Sequence, residues 1–221
     1  TQPKCIVIVG PTSSGKTGLS IHLAQKIHGE IVSADSRQVY KGLDLGSGKV
    51  TTAEMEGVPH HMLDVADPKT VYTVHDYVRD ARPILTDIHD RGLTLVIVGG
   101  SFFYVDALLG RVSLPEVSPD EELRAELDGM TTTELFAYLS KRDPRRASEI
   151  DANNRRRLIR AIEISAKLGA VPLPYTESPY DVLMLGISIE KEELHNNIHK
   201  RLIDRIEQGM IEEVKHLHEE G

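Results

Sequence analysis

Three features of the sequence predict an α/β fold: a mainly parallel sheet flanked by helices, with a small helical insertion lobe. The first is an apolar, β-branched run, Lys4-Cys5-Ile6-Val7-Ile8-Val9, that leads through a glycine-bounded loop into apolar residues at helical spacing. The second is the apolar run Leu93-Thr94-Leu95-Val96-Ile97-Val98, preceded by an amphipathic helix pattern and followed by Gly99-Gly100. Continuous apolar strands alternating with helices are what a parallel sheet covered on both faces requires. The third is a change of character from Leu114 onward, where short helical patterns replace strands until Asp181. The expected division is 1–112 as the first part of the core and 113–150 as the helical insertion. Residues 151–221 then return to the core with an arginine-rich helix, a last strand and C-terminal helices.

Composition sets the outer limits. A chain of 221 residues with 40% hydrophobic and 27% charged residues can bury one substantial core and a second small lobe. No apolar stretch is long enough to cross a bilayer, and no basic-then-apolar leader opens the sequence. The single cysteine excludes an internal disulfide and fits a reducing, cytoplasmic setting. Cys5 lies inside the first strand and reads as a small core residue. The net charge of −8 argues against indiscriminate nucleic-acid binding, but leaves room for a local basic face.

The loop after the first strand, Gly10-Pro11-Thr12-Ser13-Ser14-Gly15-Lys16-Thr17, matches G-x-x-x-x-G-K-[ST], the phosphate-binding P-loop. The core is therefore of the P-loop NTPase-like type. Gly10 and Gly15 let the backbone curl so that successive N–H groups point inward. The helix that follows adds the positive end of its dipole, Lys16 adds a point charge, and Thr17 can reach a magnesium ion. Leu19, Leu23, Ala24 and Ile27 form the apolar side of this helix. The loop is expected to hold a polyphosphate or a diphosphate.

Glu30-Ile31-Val32-Ser33-Ala34 reads as a second strand, ending in Asp35-Ser36-Arg37-Gln38. Strand ends beside a P-loop strand collect the chemistry of open α/β sheets, so Asp35 is a catalytic candidate; the competing role is a helix N-cap. Lys41 to Lys49 is glycine-punctuated and reads as a loop over the site. Val58 to Val65 can hold a third strand, and its paired His60 and His61 suit packing or substrate contact better than a metal. A helix over Thr73–Arg91 has Val74, Tyr77, Val78, Ala81, Leu85 and Ile88 as its apolar face and Gly92 as its end.

The run ending at Val98 stops in Gly99-Gly100-Ser101 instead of the aspartate that orders Mg²⁺ in many P-loop NTPases. The two glycines are expected to let a helix starting near Ser101 approach the site. Ser101 can then donate to a phosphate oxygen, or simply cap the helix. Pro119 opens an acidic helix to about Asp128, and helices follow near Thr133–Lys141 and Pro144–Ile150. Asn153 to Glu163 carries Arg155, Arg156, Arg157 and Arg160. Arg157 and Arg160 share a helix face, which suits a phosphate backbone or a solvated surface equally. Asp181–Ile189 reads as the last strand, and a long helix from Lys191 carries Arg201 and Arg205. His195 and His199 have metal-like spacing but no accompanying glutamate motif, so a solvated face is the better reading.

Five stretches together, GPTSSGKT at 10–17, DSRQVYKGLDLGSGK at 35–49, Pro59-His60-His61, VGGSFFY at 98–104 and NNRRRLIRAIE at 153–163, resemble the tRNA dimethylallyltransferases, or tRNA isopentenyltransferases (IPP transferase family). The resemblance implies transfer of a dimethylallyl group from dimethylallyl diphosphate to N6 of the adenosine immediately 3′ of the anticodon, in tRNAs reading codons that begin with U. Pyrophosphate leaves. It further implies that Asp35 takes the proton from the attacking amino group. Lys16, Ser101 and Arg201 would stabilise the leaving pyrophosphate, with Mg²⁺ near Thr17. Asp35, Ser36, Arg37, Gln38, Ser101, Arg124 and the Arg157-Leu158-Ile159-Arg160-Ala161 segment match positions where the family contacts tRNA. Ser101 stands where many relatives carry threonine. Family members usually continue past the equivalent of Gly221, and the segments after Asp128 and between Leu168 and Tyr180 are shorter than usual. The implied enzyme is a cytoplasmic monomer with tRNA and the prenyl diphosphate as partners and no membrane association. Two other readings share the loop: an adenylate isopentenyltransferase of the cytokinin type, and a P-loop small-molecule kinase.

Overall fold

The computed structural model describes residues 2–174 and 177–220. They form two compact units, residues 2–111 with 177–220, and residues 112–174. The first unit is built on five parallel strands in the order β3-β2-β4-β1-β5. These are β1 (Lys4–Val9), β2 (Gly29–Ser33), β3 (His60–His61), β4 (Thr94–Gly99) and β5 (Asp181–Gly186). β1 sits between β4 and β5, with Cys5 opposite Leu95 on one side and Val182 on the other. The sheet is wholly parallel among the described residues, as its apolar runs require. Cys5 is buried, and burial pushes its thiol pKa up to about 12, so it packs and does not react.

The expected eight-residue strand around the paired histidines shrinks to two. Met62 and Asp64 adopt left-handed backbone at φ 63° and 55°, which turns the chain away from the ladder after His61. Helix α1 (Lys16–Ile27) also differs from the periodicity. Its buried residues are Ser20, Ile21 and Ala24, while Leu19 is exposed and Leu23 and Ile27 are only partly covered. Ile21 and Ala24 pack with Ile8, Ile31, Val96 and Val98.

Helix α2 (Val74–Asp90) begins with a capping box, Thr73 bonding the Asp76 amide and Asp76 bonding back to Thr73. It buries Tyr77, Val78, Ala81, Leu85 and Ile88, the expected face except Val74. Helix α3 (Phe102–Leu108) follows β4. Its Tyr104 ring stacks on Tyr77 with centroids 4.2 Å apart. After β5 come α8 (Lys191–Glu207) and α9 (Met210–Glu219), which bury no residue fully.

The second unit is helical: α4 (Glu121–Asp128), α5 (Thr132–Arg142), α6 (Pro144–Glu149) and α7 (Arg155–Leu168). The expected end of the insertion at residue 150 falls inside this unit. Leu158, Ala161 and Ile162 of α7 pack with Leu127, Leu135, Leu139 and Ala147, so the arginine-rich helix belongs here and not to the returning core. No helix among the described residues is long and apolar enough to cross a membrane.

Candidate active site at the P-loop

Strand order places the site. β1 connects to β2 on one side and, through the rest of the chain, β4 connects to β5 on the other. The crevice at the carboxyl ends of β1 and β4 is therefore a topological switch point, where open α/β sheets bind ligands. A cavity of about 450 Å³ lies there, lined by Thr12 to Thr17 of the loop, by Asp35 and Gln38 after β2, and by Arg201 and Arg205 of α8. The loop curls through left-handed backbone at Gly15, at the head of α1, with φ 88°, and at Ser13, with φ 60°, while Gly10 is not left-handed. No side chain caps α1 and its first turn holds no acid, so its leading amides and dipole are left for an anion.

Lys16 Nζ donates to the Gly10 carbonyl at 2.9 Å and to the Pro11 carbonyl at 2.6 Å. Burial lowers its pKa, Asp35 opposes that shift and Arg201 adds to it. The ammonium is thus held by carbonyl dipoles, with its charge available to a phosphate. Arg201 Nη2 donates to the Gly48 carbonyl at 3.1 Å, the same oxygen that accepts from Gln38 Nε2 at 3.1 Å. Burial, with Arg201 beside it, pulls down the Arg205 pKa, while Glu54 raises it. One wall of the cavity is therefore cationic.

Asp35 caps no helix, because a turn and not a helix follows β2 here. Its Oδ1 accepts from the Arg37 amide at 2.9 Å and the Gln38 amide at 3.3 Å, which closes a local turn after the strand. The same carboxylate lines the cavity. Ser101 behaves differently from expectation. Its hydroxyl makes no cap bond to α3, and it does not line the cavity; it accepts from the Ser36 amide at 2.9 Å and lies 3.1 Å from Ser36 Oγ. The side chain ties the end of β4 to the end of β2. The close approach depends on Gly99 alone: a Cβ there would lie 2.0 Å from the Ala34 oxygen, whereas one on Gly100 meets nothing within 4 Å.

Thr17 lines the cavity and offers one hydroxyl oxygen. Among the described residues no group of three or more histidine, cysteine or acidic side chains could hold a metal. This donor set fits Mg²⁺, which keeps waters and takes most of its remaining ligands from bound phosphates. The paired histidines diverge. His60 lines the cavity, its Nδ1 lying 2.8 Å from the Val58 carbonyl, while its Nε2 is buried without a partner. Burial lowers its pKa, against the hydrogen bond with the Val58 carbonyl. His61 Nε2 lies 2.7 Å from Glu30 Oε2, and Arg91 grips both Glu30 oxygens at 2.6 and 2.7 Å. His195 and His199 are both exposed on α8.

In the helical unit the arginines divide. Arg124 grips buried Glu163 at 2.7 and 3.1 Å. Arg160 lies 3.4 Å from the same carboxylate and donates to the Val117 carbonyl at 2.7 Å. Leu158 and Ala161 are core, Ile159 is partly covered, and Arg157 is exposed. The sequence reading missed Arg205, Lys200 and Asn197, which share the cavity wall with Arg201. The i, i+4 spacing of Arg201 and Arg205 was the available signal.

The sequence model of the IPP transferase family matches residues 38–221. The tRNA dimethylallyltransferase of Halalkalibacterium halodurans is 40% identical over 230 residues, covering 100% of this chain and 73% of the relative. The chain belongs to the tRNA dimethylallyltransferase family. Another member, from Leuconostoc citreum, is 42% identical over 214 residues, covering 97% of this chain and 72% of the relative. The full-length tRNA isopentenylpyrophosphate transferase of Bacillus halodurans superimposes with a TM-score of 0.71 at 41% identity, over 100% of this chain and 71% of that one. A eukaryotic dimethylallyltransferase acting on tRNA gives a TM-score of 0.87 at 32% identity, over 98% of this chain and 56% of that one. Members of the family are prenyl-transferring enzymes.

Proposed function

We propose that this tRNA dimethylallyltransferase family member moves a dimethylallyl group from dimethylallyl diphosphate to N6 of the adenosine immediately 3′ of the anticodon, in tRNAs that read codons beginning with U. One observation carries the reading: the P-loop, two arginines and Asp35 line a single cavity, while β4 ends in glycines. That arrangement suits a diphosphate that leaves intact better than an NTP that is hydrolysed.

The chemistry follows from the positions. The diphosphate lies on the loop amides, with Lys16, Arg201 and Arg205 around it. The adenine N6 amino group attacks the allylic carbon, a C–N bond forms, the C–O bond to the diphosphate breaks, and Asp35 takes the amino proton. Charge accumulates on the departing pyrophosphate, where the cations oppose it. Mg²⁺, held by Thr17 and the phosphates, would supply further neutralisation of that charge. Ser101 serves by joining the two strand ends, and through Ser36 it steadies the turn that carries Asp35.

The acceptor base must leave its stack to reach Asp35. Ser36, Arg37 and Gln38 stand at that end, and Arg157, exposed like its neighbour Arg156, is placed to meet a phosphate backbone. Arg124 and Arg160 act by holding α4 and α7 together through Glu163. The enzyme is taken to work as a monomer in the cytoplasm. The test is to incubate it with radiolabelled dimethylallyl diphosphate, Mg²⁺ and either unmodified tRNA or AMP and ATP. Label in tRNA beside the anticodon supports the proposal. Label only in free nucleotide, or phosphate transfer from ATP to a small molecule, overturns it.

A further inference from the structure

The segment Gly42–Lys49 lines the cavity with Ser47 and Gly48 and is gripped from α9. Glu213 Oε2 accepts from the Asp44 amide at 3.1 Å and the Leu45 amide at 2.8 Å, and Oε1 accepts from the Gly46 amide at 2.8 Å. Three successive amides converging on one anion form a nest, and each bond is strengthened by the acceptor's charge. Two residues further on, the same segment meets α8. Gly48 presents its carbonyl to Arg201, and its α-carbon lies so close to Arg205 that a Cβ would fall 1.6 Å from Nη2. The backbone between the carboxylate and the arginines is thus one short, continuous piece. Apolar packing does little to fix these helices, since neither α8 nor α9 buries a residue fully.

We propose that Glu213 is a positioning residue: by filling the amide nest at Asp44–Gly46, it holds α9 to this segment and, through the short Gln208–Gly209 junction, the end of α8, so that Arg201 and Arg205 face the P-loop. The inference rests on reading the cavity as a diphosphate site. Without the carboxylate, water can satisfy the three amides, because this face is not buried, and α9 loses its tether to the segment, leaving the end of α8, joined to it through Gln208 and Gly209, held there by its arginines alone. The two guanidinium groups then meet the diphosphate only after being ordered again, and that cost falls on binding.

The experiment titrates inorganic pyrophosphate, with Mg²⁺ present, into the wild-type protein and its variants by calorimetry. Glu213→Ala is expected to weaken binding about tenfold, the scale of one lost charge-assisted hydrogen bond. Glu212→Ala, on the same helical turn but exposed, is expected to bind as wild type does. The deciding comparison adds Glu213→Ala to the double variant Arg201→Ala, Arg205→Ala. If Glu213 acts through the arginines, the added substitution weakens binding no further. A full tenfold loss on that background overturns the proposal, because the carboxylate would then act on stability in general. Unchanged binding by Glu213→Ala also overturns it. Should that variant fail to fold by circular dichroism, Glu213→Gln, which keeps the shape and loses the charge, carries the same comparison. Wild-type protein that binds no pyrophosphate refutes the diphosphate site itself, a separate result from a failure of Glu213 to matter.

Discussion

Gly99 and Gly100 are adjacent and alike in sequence, and the structure predicts opposite responses to alanine. A Cβ on Gly99 would lie 2.0 Å from the Ala34 oxygen, 2.4 Å from its carbonyl carbon and 2.8 Å from its Cα. Even close carbon–oxygen contacts fall at about 3.3–3.6 Å, so the two backbones would have to part by roughly 1 Å or more. All three obstructing atoms are backbone, which no rotamer change relieves. The strand ends are joined by Ala34 N to Val98 O at 2.7 Å and by Ser101 N to Ala34 O at 3.1 Å. Losing both bonds costs about 1–3 kcal/mol, and overpacking adds about 1–3 kcal/mol. A loss near 4 kcal/mol is large against a domain stability of about 5–15 kcal/mol, and corresponds to a fall in Tm of about 8–16 °C at this chain length. A Cβ on Gly100 meets no atom within 4 Å, so Gly100→Ala is expected to stay within about 0.5 kcal/mol of wild type. Urea unfolding followed by far-UV circular dichroism measures both. Equal losses, or a larger one at Gly100, would refute the argument that backbone contact at the end of β2 is what demands glycine.

Three further outcomes are expected. Asp35→Ala should lower kcat by about 10²–10⁴, the scale of a lost general base, and leave pyrophosphate affinity nearly intact; a variant with near-normal turnover removes the proton-acceptor role. Arg157→Ala should weaken tRNA binding and reduce the slope of log K against log salt by about one unit, so an unchanged slope takes this side chain off the RNA face. Glu30 is held at a pKa of about 2, down from 4.5, first by its hydrogen bonds with Arg91 and then by His61, against the opposing effect of burial. A depressed carboxylate pKa stabilises the fold above the unfolded-state value and loses that contribution as pH falls from 4.5 toward 2. The advantage of wild type over Glu30→Gln should accordingly be about 2–3 kcal/mol at pH 6 and shrink across that window. A pH-independent difference in chemical denaturation would show that Glu30 contributes shape and not charge.

The parts of the molecule legible in the sequence are those whose cause is local. The P-loop follows from two glycines, a lysine and a hydroxyl at fixed spacing, and α2 from a 3.6-residue apolar period with a Thr73–Asp76 capping box. Asp35 follows from its place after a strand beside the loop. The losses occur where distant chain decides. Nothing in Val58–Val65 announces that Met62 and Asp64 turn left-handed and end β3 after His61. The arginine-rich stretch looks solvated until Glu163, on the same helix, draws Arg160 and Arg124 inward. Ser101 resembles a helix cap because its partner, Ser36, lies 65 residues away. Arg205 shares a helix face with Arg201 by its i, i+4 spacing, but its place in the cavity wall comes from the packing of α8 on the Gly48 backbone, about 150 residues away in sequence.

The pairing of β1 with β5 bears on how the protein comes to be folded. Lys4 pairs with Asp181, so β1 waits on a strand made about 180 residues later. At about 5–20 residues per second, a ribosome takes roughly ten to forty seconds to supply it. During that interval β1 presents an open, apolar edge, the feature most apt to pair with another nascent chain. The phosphate loop is caught in the same delay. Its entry is anchored when Ile187 N bonds to the Val9 carbonyl at 2.9 Å, so the loop takes its final form only after residues far downstream have been made. Closure of such distant ends is slow for entropic reasons. The maturation of donor binding during refolding should therefore follow the docking of β5 and lag behind the helix signal.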